Sequence, residues 1–390
     1  MISVDEALAH VLSLVAPVGV EQVALARSAG RVLAADVVAR RAQPPFPASA
    51  MDGYAVRSRD AHPAATLRVI GQSAAGHRYQ GTLSTGEAVR IFTGAPVPEG
   101  ADRVIIQEDV ERTGDTITLR TQLDGATYIR PAGGDFAVGD TLSAPRLLSA
   151  NDLSLIAAMN TPHVTVSRRP EIAILATGDE LVMPSDTPGP DQIIASNSFA
   201  LKALFEAEGA RVRLLPIARD TKASLLSGFE MARGADLLIT TGGASVGDHD
   251  LVAGVADSLG MQRAFYKIAM RPGKPLMAGR VLDMAMLGLP GNPVSSIVCA
   301  HLFVRPAIRA MLGLAPAVLP PQTARLAVDL GPNGPRAHYM RAQLEGGWIT
   351  PFERQDSSLL SVLARANSLM IRPVRQDALE KGSVVSFLPF

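Results

Sequence analysis

Residues 237–250 read LLITTGGASVGDHD, an apolar run that breaks into a glycine-bearing loop carrying two aspartates. Gly242, Gly243 and Gly247 let the backbone approach a ligand closely, and a helix starting after such a loop offers unpaired N–H groups to an anion. Asp248 and Asp250 beside a phosphate-binding loop are more useful with a divalent cation between them than as bare charges; helix capping is the competing use for at least one of them. A second loop of this kind, LPGNP at 289–293, ends another apolar run and opens a long apolar helix. Asn292 suits the N-cap and Pro293 the first turn, so helix initiation explains both. Two glycine-bearing strand ends at one edge of a parallel sheet would nevertheless form a ligand crevice.

Between these loops, YKIAMRPGKPLMAG sets Lys267, Arg271 and Lys274 around a proline-stiffened turn. Each alone reads as a solvated surface cation; together they suit a tetrahedral oxoanion. Further carboxylates follow strands or glycine turns: Asp52 in SAMDGYAV, Asp135 in GGDF, Glu180 in ATGDEL and Asp220 in ARDT, all residue types that also serve turns. The residues thus point to a divalent-metal, phosphate-handling site in an α/β domain, without naming its substrate.

The elements that must carry these loops are legible from periodicity. From Glu171 to Leu314 strands and helices alternate: EIAILATG, a helix opening near Ser198 and stopped at Gly209, RVRLLPI, a Thr221-capped helix ended by Gly234, then ADLLITTGG. A parallel α/β sheet is expected. Short strands between glycine turns predict a β-rich region from Ala48 to about Gly139. NDLSLIAAM after Ser149 predicts a capped helix leading to the strand HVTVS. The last seventy or so residues return to short strands, which predicts a small β barrel or sandwich. Proline clusters near Pro44–Pro47, at Pro170 and from Pro316 to Pro321 mark the boundaries.

A chain of 390 residues is expected to form two to four domains. Its 37 basic and 37 acidic side chains create no global field to recruit nucleic acid or an acidic membrane, so an anionic ligand must be held by a local cluster. The single cysteine, Cys299, excludes an internal disulfide and fits a reducing compartment. MISVDEALAHVLSLV reads as a helix of the mature protein rather than a targeting segment. No uninterrupted apolar run approaches the roughly 20 residues that span a bilayer. A cytoplasmic location is the expectation.

PPFPASAMDGYAV, RIFTGAPVPEGADRVIIQED, ILATGDEL, ASNS, TTGGASVGDHD, RPGKP and GLPGNPVS follow one another along the chain. In kind and order they resemble the MoeA and gephyrin E-domain family, and the resemblance spans essentially the whole sequence. It implies a multidomain α/β plus β protein: an elongated helix-containing domain from 1–44 and 137–168, a β-rich domain at 45–136, a molybdopterin-binding α/β domain at 169–314, and a C-terminal β barrel at 315–390. It also implies a homodimer whose active sites are built partly by the partner chain. The implied reaction is insertion of molybdate into adenylylated molybdopterin with release of AMP, assisted by Mg2+ or a similar divalent cation.

By the same resemblance, Asp52, Thr93, Asp135, Glu180, Asp220, Asp250 and Lys267 match catalytic positions, with Glu180, Asp220 and Asp250 as metal ligands. Gly242, Gly243, Ser245, Gly247, Pro290, Gly291, Asn292 and Pro293 match substrate-binding positions. Arg271, Lys274, Pro275, Ser295, Arg341 and Ser357 match a molybdate pocket. Arg271 stands where lysine is common in the family, replacing a compact donor with a planar fork. The molybdopterin adenylyltransferase of the preceding step and acceptor molybdoenzymes are the implied partners. Two other functions share these features: a non-catalytic scaffold, which would not need Asp220, Asp250, Lys274 and Arg341 together, and the adenylyltransferase itself, which would not need the additional β domains.

Overall fold

Residues 1–243, 251–316 and 321–390 are described by a computed structural model. They form two compact units, one of Met1–Glu21, Gly30–Ala34 and Val166–Phe390, the other of Gln22–Ala29 and Ala35–Thr165. Ser245, Gly247, Asp248 and Asp250, singled out from the sequence, lie outside the described residues.

The chain enters the first unit through helix α1 (Val4–Ser13), opened by a reciprocal capping box between Ser3 and Glu6. The second unit is organised by a six-stranded sheet of β1 (Gly53–Val56), β2 (Thr66–Ser73), β3 (Glu87–Ile91), β4 (Arg103–Ile106), β5 (Val110–Thr113) and β6 (Thr116–Leu119). Their spatial order is β4-β1-β3-β2-β6-β5. Strand alternation sends Tyr54 and Val56 to one apolar cluster and Ala55 to another. Helix α2 (Ala150–Ala158) follows, capped by Ser149 and Asp152 as the sequence predicts.

The remainder of the first unit begins with an α/β sheet built from β7 (Glu171–Ala176), β8 (Arg211–Leu214), β9 (Leu237–Thr241), β10 (Gln262–Lys267), then, beyond the two-residue β11 (Met270–Arg271), β12 (Pro275–Val281) and β13 (Met284–Leu289). The order is β8-β7-β9-β13-β12-β10. β8, β7, β9 and β13 are mutually parallel, as expected, while β12 alone runs against them and pairs antiparallel with both β13 and β10. The reason is local: β12 and β13 are joined through Leu282 and Asp283 alone, too short for the crossover a parallel pair requires.

Helices cover both faces of this sheet. α3 (Asn197–Ala207) packs Leu201 and Phe205 against Ile172, Ile174 and Ile239, whereas α4 (Lys222–Ala232) and α5 (Leu251–Ser258) cover Ala173, Leu175 and Leu238. Thr221 accepts from the Ser224 amide at the start of α4, and Gly234, at φ 81°, ends that segment, as their residue types predict. α6 (Pro293–Cys299) runs through a π-helical turn at Ala300–Val304 into α7 (Arg305–Met311). The 19-residue stretch Pro293–Met311 is apolar and long enough to cross a bilayer, but most of it is buried inside the protein. It is the core helix of this domain.

The C-terminal strands are β14 (Gln322–Leu326), β15 (Ala337–Glu345), β16 (Trp348–Pro351), β17 (Ser368–Arg372) and β18 (Val384–Pro389), with α8 (Leu360–Arg365) between β16 and β17. Pairing runs β15-β16-β14-β18-β17 and returns to β15, closing a small barrel of the kind the strand pattern predicts. β11 adds to β15 in parallel, pairing Met270 with Ala337 and Arg271 with His338. That short ladder joins the cationic turn of the α/β domain to the barrel.

Candidate functional site

The central parallel strands end in register, with Ala176 opposite Thr241 and Thr241 opposite Leu289. Each then turns into a loop, and together the loops enclose a cavity of about 620 Å³. A crevice at the carboxyl ends of parallel strands is where an open α/β sheet accommodates ligands. The wall includes Glu180, Gly242, Gly243, Pro275, Pro290, Gly291, Asn292 and Pro293, all anticipated from the sequence. Gly242 has φ +90°, and a Cβ there would sit 2.4 Å from the Thr177 carbonyl oxygen, so a larger residue cannot take this position without displacing backbone.

Asn197 also lines the cavity and was not among the expected site residues, although its ASNS motif was visible. Its Nδ2 donates to the Gly291 carbonyl at 2.7 Å, fastening the start of α3 to the LPGNP loop. Asn292 occupies the N-cap of α6 with extended φ/ψ but makes no side-chain capping bond, and Pro293 takes the first turn. The Val294 amide, one of the orphan donors at this helix start, donates to the Ser357 carbonyl at 3.1 Å. Ser357 is thereby held against the α6 N-terminus and near Ser295, which is buried.

Glu180 and Asp220 lie on adjoining loops. Gly178 N–H donates to the Ala218 carbonyl at 3.1 Å, Asp220 N–H to Asp179 Oδ1 at 3.2 Å, and Arg219 Nη1 to the Asp179 carbonyl at 2.9 Å. Both carboxylates are exposed. Such oxygen donors suit a hard divalent cation. Among the described residues, however, no group of three His, Cys, Asp or Glu side chains is placed to hold a metal ion.

Of the four cations, Arg271 and Arg341 come together at His338, where the α/β domain meets the barrel. Lys267 ends β10, its ammonium 5.7 Å from the Tyr266 ring centre, and the Lys274 carbonyl accepts from Ile268 N–H at 3.1 Å. Arg271 Nη2 lies 2.9 Å from His338 Nδ1. Arg341 on β15 is 0% exposed. Its Nη2 donates to the carbonyls of Arg354 and Asp356 at 3.4 and 3.2 Å, while Nε and Nη1 are buried without a partner among the described residues. None of Lys267, Arg271, Lys274 and Arg341 forms an ion pair with a described residue. Burial lowers the pKa of Arg341, yet a guanidinium remains protonated in proteins, so the chain keeps a desolvated positive charge here. An anion brought against it would neutralise that charge and accept from the unpaired donors.

Asp52, Thr93 and Asp135 belong to the second unit. Asp52 Oδ1 accepts from the Thr93 backbone N–H at 2.7 Å and from its hydroxyl at 2.9 Å. These bonds, the backbone one foremost, and then Arg90 hold the Asp52 carboxyl below the usual carboxylate range. Asp135 is exposed, its N–H donating to the Gln43 carbonyl at 2.9 Å.

Comparison with known proteins matches this architecture segment by segment. Residues 2–160 match the MoeA N-terminal region (domain I and II), 173–310 a probable molybdopterin binding domain, and 323–390 the MoeA C-terminal region (domain IV). A molybdopterin molybdenumtransferase of a Nostoc species is 35% identical over 92% of this chain and 86% of its own length. One from Haemophilus influenzae is 34% identical over 100% of this chain and 99% of its own. The crystal structure of a molybdopterin biosynthesis MoeA protein from Pyrococcus horikosii superposes with a TM-score of 0.87 at 30% identity, covering 100% of this chain and 99% of that one. With the three family regions matched in order along the chain and relatives aligned end to end, the chain belongs to the MoeA family of molybdopterin molybdenumtransferases.

Proposed function

We propose that this chain transfers molybdenum to molybdopterin in molybdenum-cofactor synthesis, taking molybdate and adenylylated molybdopterin as substrates and releasing AMP with the help of a divalent cation. The observation that carries the reading is Arg341, a fully buried guanidinium with two unpartnered nitrogens at the α/β–barrel junction. Family membership supports the molybdenum-transfer step, and in this reading the cavity at the strand ends takes the pterin substrate.

Two anionic substrates repel one another unless both are screened. In this reading Gly242, Gly243 and the loop Pro290–Pro293 line the adenylylated-pterin side. Arg271, Lys274 and Arg341 replace the water of the tetrahedral oxoanion, with Ser295 and Ser357 as neutral donors beside Pro275. Lys267 adds charge at the rim. Cleavage of a phosphoanhydride accumulates negative charge on the departing phosphate, and positioned cations stabilise it more in the transition state than before it. Glu180, Asp220 and, outside the described residues, Asp250 would hold the divalent cation, which supplies further neutralisation of phosphate oxygens when bound. A homodimer belongs to the same reading, with Asp52, Thr93 and Asp135 contributing across subunits; light scattering at micromolar concentration tests it, and a stable monomer rejects it.

The direct experiment incubates purified protein with adenylylated molybdopterin, molybdate and magnesium, and follows AMP and active cofactor. Formation of both, lost on chelation of magnesium, is the expected result. Neither product forming with intact substrates rejects the reading.

A further inference from the structure

Arg271 sits on a two-residue strand and is exposed, so an unrestrained guanidinium there would spread over many rotamers. Among the described residues, its side-chain contact is from Nη2 to His338 Nδ1 at 2.9 Å. His338 comes from β15 and is 5% exposed. A guanidinium has only donors, so Nδ1 must be the unprotonated acceptor and the imidazole proton must sit on Nε2. The charged groups facing His338 are Arg271, Arg341, Arg372 and Arg336, with no carboxylate among them. Burial first, and these arginines next, push the imidazole pKa down to about 3, which keeps the ring neutral. Arg372 makes three bonds of its own, to Gln376 Oε1 and to the carbonyls of Gly331 and Asp377, and so forms a fixed wall rather than a competitor for the same nitrogen.

We propose that His338 is a positioning residue for oxoanion recognition, holding Arg271 through Nη2 so that the remaining guanidinium donors stay aimed at the anion. A carboxylate at this position would orient the fork and cancel its charge, whereas a neutral imidazole orients it and leaves the charge available. The inference rests on the assignment of Arg271 to the molybdate pocket, and the test separates the two.

The experiment uses the full chain with His338→Phe, which keeps the ring and removes the acceptor; His338→Asn, whose Oδ1 restores it; Arg271→Ala; and the double variant His338→Phe/Arg271→Ala. Equilibrium dialysis against molybdate is read beside half-saturation for each substrate and kcat at saturation. His338→Phe is expected to weaken molybdate binding about tenfold, the scale of one charged hydrogen bond, with kcat and pterin half-saturation unchanged. His338→Asn should bind close to the parent, and adding His338→Phe to Arg271→Ala should change nothing further, because the histidine acts through the arginine. If Arg271→Ala weakens molybdate binding and His338→Phe does not, or if the two effects add, the positioning role is wrong. If Arg271→Ala itself leaves molybdate binding intact, the assignment of Arg271 to the pocket falls and takes the inference with it. Should the barrel reject phenylalanine, His338→Ala is read in the same way.

Discussion

Asp52 and Thr93 share one carboxylate oxygen: Oδ1 accepts both the backbone N–H and the hydroxyl of Thr93, at 2.7 and 2.9 Å. The folded carboxyl is held below its usual range, so whatever the pair adds to stability is present above that range and fades as pH falls through the lowered value. Thr93→Val removes the hydroxyl bond and keeps the backbone one. The Asp52 pKa should rise partway toward the ordinary value, read by carbon NMR of the side-chain carboxyl, and Thr93→Ser should leave it where it is. An unmoved Asp52 titration in Thr93→Val would mean that the backbone bond alone sets it.

The unpartnered guanidinium of Arg341 predicts an unusual separation of stability from binding. In the free protein, a methionine of similar length forfeits two carbonyl contacts but removes a desolvated charge, and such exchanges are often neutral or stabilising. Arg341→Met should therefore melt near or above the parent. Its half-saturating molybdate concentration should rise by roughly ten- to a hundredfold, and added molybdate should no longer raise the melting temperature. A steep loss of stability with unchanged molybdate dependence would make Arg341 a structural residue.

Asp220 is exposed on a loop tethered through its backbone N–H, and its carboxylate makes no hydrogen bond or ion pair with another described residue. Asp220→Asn should leave the denaturation midpoint within about 0.5 kcal/mol of the parent, as for an ordinary surface change. It should abolish or sharply reduce magnesium-dependent AMP release, since the amide keeps its size and loses the charge that holds a hard cation. Glu180→Gln should behave alike. Unaltered AMP release at limiting magnesium in both variants would sink the metal role.

A buried histidine, His338, and a half-buried one, His301, predict acid sensitivity. Burial, then neighbouring arginine charge, lowers His338 to about 3 and His301 to about 4 from an ordinary 6.5. Both folded values are depressed, so the unfolded chain binds protons that the folded chain refuses. The neutral rings contribute their stability above about pH 6.5, and it is lost as pH falls toward the folded values. Each refused proton adds a slope of up to about 1.4 kcal/mol per pH unit in that window. Urea denaturation from pH 7 to pH 4 should show a shallower fall for His338→Asn than for the parent; parallel curves would contradict the burial of a neutral ring.

Much of the site was readable from local chemistry. Thr221 caps, Gly234 stops, Pro293 starts, and the TTGG and LPGNP loops end apolar strands because cap, turn and burial preferences act within a few residues. The family motifs carried the rest of the expectation for Arg341 and Ser357. Spacing along the chain did not reveal that β12 runs antiparallel to the sheet core, that β17 returns to close the barrel on β15, or that Asn197 ties α3 to Gly291. Nor did it pair Arg271 with His338, or leave two nitrogens of Arg341 dry and unpartnered. Register, closure and desolvation are set by many distant elements packing at once. An arginine on a strand reads the same in sequence whether water or a closed barrel surrounds it, and only the assembled fold buries its guanidinium and leaves those donors unpaired.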